Sequence, residues 1–148
     1  MNNALLAVIM RFLHIGSVVG LIGGALYARS VLTPVLNMLP EPERTRAAEG
    51  AQTRFRTSLF VLLALIILSG IYNFLAGPHH SQQWQIWFGI KMLLVLHILA
   101  AAILWATSPY GDVAVGGKGK RRLASVSISG LLVILIGAYL HYLTGQGL

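Results

Sequence analysis

Long apolar runs alternate with short polar stretches along this chain, and the runs show no strict two-residue or heptad alternation inside them. A bilayer core about 30 Å thick is crossed by about 20 apolar residues of helix. Four runs reach that length: 4–35, 57–76, 86–107 and 123–143. The pattern predicts an all-α fold, a transmembrane four-helix bundle that occupies residues 1–148 as a single domain. The first run stands where a signal peptide would. Residues 1–10 carry no lysine or arginine, however, and the run is too long for a cleaved segment, so it reads as a retained helix.

Composition agrees with this picture. Hydrophobic residues make up 56% of the 148 residues and charged residues only 10%, against about 25% charged in a soluble domain. The absence of cysteine excludes disulfides, iron–sulfur clusters, thiolate haem ligation and cysteine zinc sites. The net charge of +7 is not a nucleic-acid footprint, because most of the basic residues sit in two loops. Arg44, Arg46, Arg54 and Arg56 fall in the first, 38–56; Lys118, Lys120, Arg121 and Arg122 fall in the third, 108–122; the second, 77–85, has none. By the positive-inside rule the first and third loops are cytoplasmic and both termini are outside. Trp84 and Trp87 then mark the outer interface, and Trp105 and Tyr110 the inner one.

Within that frame a few polar residues stand inside the spans. The stretch "IKMLLVLHILAAAILW" (90–105) carries Lys91 and His97; Arg11 and His14 lie in the first span, Tyr72 late in the second and His141 late in the fourth. Ionisable residues in a membrane usually face the bundle interior and mark a site. The topology puts Arg11, His14, Lys91, Tyr72 and His141 in the outer half, with His97 deepest. For a helix that starts near Gln85, Lys91 lies about 9 Å and His97 about 18 Å below the outer boundary. Histidines from different helices, without cysteine, suit a b-type haem, whose iron takes axial imidazoles from opposing helices. His14 and His97 are the expected axial ligands and His141 a reserve. Lys91, Arg11 and His141 are candidates for the propionates, although Lys91 and His97 are roughly 120° out of phase.

Plainer accounts exist for several positions. Lys91 and Arg11 are long enough to snorkel to headgroups, His141 can be a solvated helix-end residue, and Tyr72 can belong to the aromatic belt. His79 and His80 read as exposed loop residues. Gly16, Gly20, Gly24 and Ala28 form a small-residue ridge best explained by close helix packing. Gly130 and Gly137 on the fourth span serve either packing or clearance for a flat ligand.

Two stretches, "RFLHIGSVVGLIGGALYARSVLTPVL" (11–36) and "WQIWFGIKMLLVLHILAAAIL" (84–104), resemble the small bacterial membrane proteins grouped with CopD-type copper-resistance proteins and HemJ-type protoporphyrinogen oxidases. The resemblance implies a multi-pass protein of the bacterial inner membrane. It also implies functional, haem-associated roles for His14, which precedes Ile15, and for Lys91, which follows Trp84 and Trp87. Protoporphyrinogen oxidation and copper handling are the activities it carries, the latter without the clustered methionine and cysteine ligands that suit Cu(I).

The sequence therefore leads to a haem b protein of the outer half-membrane, engaged in electron transfer or haem-based oxidoreduction with a quinone, a porphyrin or another small redox partner. The alternatives are a copper or zinc binder or transporter using His14, His97 and His141, and a cofactor-free membrane scaffold. The topology has a direct check. Cysteines introduced at Ser81 and Gly117 should label from opposite faces of intact cells, Ser81 from outside; labelling of Gly117 from outside would invert the bundle.

Overall fold

The computed structural model describes residues 3–76, 81–108 and 117–145. His79, His80 and Tyr110, together with the side chains of Lys118 and Lys120, lie outside the described residues. All the described secondary structure is helical: α1 (Asn3–Tyr27), a π-helical turn (Ala28–Leu32), α2 (Thr33–Leu36), α3 (Glu43–Leu75), α4 (Gln82–Thr107) and α5 (Gly117–Gly145). Four stretches are long and apolar enough to cross a membrane: Ala4–Leu36, Glu43–Leu75, Gln82–Thr107 and Arg121–Gly145.

The first span runs through its π turn without breaking. Pro34 has no N–H to donate and its ring crowds the carbonyl one turn earlier, so the helix widens just before it. The Thr33 N–H bonds back to the Ala28 carbonyl, the Thr33 hydroxyl donates to the same oxygen at 2.7 Å, and Ser30 Oγ donates to Leu26 O at 2.6 Å. Helix α3 starts at Glu43, far ahead of the apolar run at 57. The intervening segment is a helical extension, fixed at its start by a Thr45–Glu41 hydrogen bond of 2.7 Å and by Glu43 in the first turn, where a carboxylate favours the helix dipole. Its buried stripe of Ala48 and Gln52 continues in helical register into Leu59, Leu63 and Ile66. Helix α4 begins at Gln82 because Ser81 caps it, accepting from the Trp84 N–H at 3.3 Å.

Helix α1 packs chiefly on α3 and α4 chiefly on α5; α1 also meets α5, while α3 and α4 touch more sparsely. Helices α1 and α4 are thus diagonal across the bundle. Four crossings return the chain to the side on which it began. The termini-side end joins Trp84 of α4 to Leu140 and Leu143 of α5, and the opposite end joins Trp105 to Leu123. Large apolar side chains cover the outside, with Phe12 74% and Leu93 69% exposed. Only lipid makes such a surface tolerable, so the chain reads as a multi-pass membrane protein.

Small residues bring the helices together. A Cβ on Gly20 would meet Leu62, one on Gly24 would stand 2.7 Å from the Phe55 ring, and one on Gly130 would stand 2.7 Å from Ile22, whereas Gly16 has open space. The α1 ridge is therefore a packing surface at Gly20 and Gly24. Of the expected belt aromatics, Trp84 and Trp105 stand at opposite ends of their helix but are buried. Trp84 stacks on Phe88, and Trp105 meets Phe55 edge-on at 5.5 Å.

This packing yields a paired test. Gly130→Ala should lower the melting temperature in detergent, because overpacking costs about 1–3 kcal/mol and exceeds the roughly 1 kcal/mol of helix propensity that alanine adds. Gly16→Ala should leave the melting temperature unchanged or raise it.

Candidate functional site

His14 lies half-buried on α1, facing α3. Its Nδ1 is 3.1 Å from the Ile66 carbonyl oxygen and 3.1 Å from Ser69 Oγ. The approach depends on Gly70, where a Cβ would stand 3.1 Å from His14 Cε1. These partners fix the tautomer. A carbonyl can only accept, and the Ser69 hydroxyl gives its own proton to the Leu65 carbonyl, leaving its oxygen to accept as well. Nδ1 therefore carries the hydrogen, and in the neutral ring Nε2 keeps its lone pair. Among the described residues no hydrogen bond reaches Nε2. A histidine held through one ring N–H by a backbone carbonyl, with the other nitrogen free, has the second-sphere support typical of a metal ligand.

Lys91 comes from the diagonal helix, α4. Its Nζ stands 3.7 Å from the place a Cβ on Gly137 of α5 would take, an ordinary van der Waals distance. The chain has four side-chain carboxylates: Glu41, Glu43, Glu49 and Asp112. Glu41 and Glu43 stand before or at the start of α3 and Glu49 in its second turn, at the opposite end of the bundle from Lys91, and Asp112 lies outside the described residues. Among the described residues no carboxylate forms an ion pair with Lys91. An ammonium in this setting is suited to an anion brought from outside the chain.

The structure thus brings His14 of α1 to Ser69 and Gly70 of α3, and Lys91 of α4 to Gly137 of α5. His97 is placed elsewhere. It lies on an exposed face of α4, about 9 Å further along the helix than Lys91, with Nε2 2.5 Å from Ser125 Oγ of α5. Arg11 and His141 are exposed, and Tyr72 is half-buried. Asn73, one residue on from Tyr72, ties α3 to α1 through the Met10 carbonyl at 3.4 Å. No group of three histidine, cysteine, aspartate or glutamate residues comes together among the described residues.

Compared with protein-family models, with curated proteins and with solved structures, the chain matches none.

Two residues of this site escaped the sequence reading. Ser69, among the most buried side chains, and Gly70 are unremarkable as letters in an apolar helix. The signal that could have marked them is their register: they fall on the face of α3 that continues Leu59, Leu63 and Ile66. The inferred tautomer predicts a spectroscopic result. In ¹⁵N-histidine-labelled protein, one ring should show the Nδ1–H form at neutral pH and keep it in Ser69→Ala, because the Ile66 carbonyl remains. An Nε2–H form for His14 would refute the assignment.

Proposed function

We propose that the protein binds one b-type haem in the termini-side half of the bundle. His14 would hold it through Nε2, and Lys91 would be the cationic partner of a propionate. The carrying observation is His14, held through Nδ1 by the Ile66 carbonyl and Ser69 with no described partner on Nε2, in the same half of the bundle as Lys91. Haem bound there would supply one-electron redox or oxygen chemistry. The chain's contribution is orientation and charge. Ser69 and the Ile66 carbonyl hold the imidazole plane, and Gly70 and Gly137 keep the space beside His14 and Lys91 free of side chains.

The work this serves is electron transfer or haem-based oxidoreduction with a membrane-soluble partner, a quinone or a porphyrin. The two residues singled out are those carried by the resemblance to HemJ-type proteins, which favours this reading over a scaffold. Copper or zinc held by the chain alone calls for three or four ligands, and the donors the structure brings together suit haem better. With termini outside, the site faces the outer leaflet of a bacterial inner membrane. A second axial bond from His97 would require it to leave Ser125. A five-coordinate, high-spin spectrum belongs to His14 alone and a low-spin spectrum to both histidines.

The purified protein should be coloured, with a Soret band and, on reduction, α and β bands. His14→Ala should lose most of the haem. Ser69→Ala should keep the spectrum but weaken haem affinity about tenfold, as loss of an outer-sphere partner does. Lys91→Met should retain less haem than wild type, or hold it at a shifted potential. Colourless protein that takes up no added haemin would overturn the proposal, and so would full haem occupancy in His14→Ala.

A further inference from the structure

His97 is exposed on α4, with Nε2 2.5 Å from Ser125 Oγ of α5. It stands 15 residues from the start of α4 and 10 from its end, about 22 Å and 15 Å along the axis. An imidazole cannot span either distance to reach headgroups. Among the described residues its Nδ1 has no hydrogen-bond partner. Exposed hydroxyls elsewhere in the spans close on their own helices instead, Ser30 on the Leu26 carbonyl at 2.6 Å and Thr107 on that of Ile103 at 2.9 Å. Hydrocarbon offers no water to the remaining nitrogen, and ionisable residues in spans almost always face protein rather than lipid. At this depth the exposed face of α4 is incomplete in a single chain.

The residues around His97 form a seam. Ile86, Ile90, Leu93, His97, Ala100 and Leu104 follow one another in steps of four and three, and all are exposed. That spacing keeps one stripe facing a partner helix in a left-handed pair. A lone polar residue in such a stripe fixes the register and the number of strands.

We propose that a second copy of the chain covers this face of α4, in a twofold dimer whose two His97 rings hydrogen-bond to each other. Copies inserted in one orientation are related by an axis along the membrane normal, so each brings His97 to the same depth. The ring is its own complement. Ser125 Oγ accepts from an Nε2–H or donates to a bare Nε2, so one copy can present Nδ1–H and the other an Nδ1 lone pair. An unrelated helix would need a polar group at that depth by coincidence, and an acyl chain has none. Ala100, one turn from His97, lets the two backbones approach. The seam does not depend on the haem reading.

The test uses the purified full chain in liposomes, and the sequence has no native cysteine to interfere. Leu93→Cys and Ala100→Cys should form disulfide-linked dimers on mild oxidation. Val19→Cys and Leu68→Cys, at exposed positions of α1 and α3, should not. Dimer fractions counted by single-molecule photobleaching over a range of protein-to-lipid ratios should fall in His97→Leu. The dissociation constant should rise about three- to thirtyfold, the range of one interhelical hydrogen bond in a bilayer. His97→Asn, which keeps a donor and an acceptor, should dimerise nearly as wild type does. His14→Ala should dimerise as wild type does, so that loss of haem and loss of the dimer are separable. Should His97→Leu fail to fold, cross-linking at positions 93 and 100 still decides the matter. The proposal is overturned by protein that stays monomeric at every ratio, which would point to a foreign helix on this face. It is also overturned by cross-linking of Val19→Cys or Leu68→Cys as strong as that of Leu93→Cys, or by undiminished dimers in His97→Leu.

Discussion

The seam between α1 and α3 is the contact on which the rest of the arrangement depends. Helices in hydrocarbon gain little by burying apolar surface against one another and associate through close packing and hydrogen bonds. Here Gly20 and Gly24 admit Leu62 and Phe55 from α3, and Gly70 admits the His14 ring from α1. At one end of the seam the imidazole reaches the Ile66 carbonyl and Ser69. At the other, Phe55 is brought edge-on to Trp105. The candidate site is a consequence of how near these two backbones lie, so a side chain added at Gly70 would disturb a site as well as a contact.

The spans were legible because hydropathy over about 20 residues needs no knowledge of partners. The start of α3 was not. Its extension buries Ala48 and Gln52, a small residue and a polar one, so the periodic stripe that makes it helical is not an apolar stripe. His14 and Lys91 stood out because ionisable groups in hydrocarbon are rare, but the partners of His14 on α3 depend on packing that no local pattern encodes. The same holds for His97. Its depth followed from counting residues, while its partner, Ser125, lies 28 positions away on a helix whose rotation only packing decides. Trp105 shows the limit of the aromatic-belt rule: it stands at the end of its helix, as expected, yet faces the bundle because Phe55 and Gln52 meet it there.

Charge divides the bundle into unlike ends. The arginines of the first loop and the three described glutamates share one end, where they can compensate one another in water. Arg11 and Lys91 belong to the other half, away from the described glutamates. Arg11 is exposed and long enough to reach headgroups. Lys91 points instead toward the position where Gly137 has no side chain.

Histidines 14 and 97 sharpen the same distinction. Both lie in spans, and each has one ring nitrogen engaged. His97 is exposed to the lipid side, where Ser125 engages one of its nitrogens. His14 has two acceptors on Nδ1 and, among the described residues, no donor on Nε2. The two rings therefore differ in what they leave open: Ser125 takes His97 Nε2, whereas the seam with α3 takes His14 Nδ1 and turns Nε2 away from its acceptors.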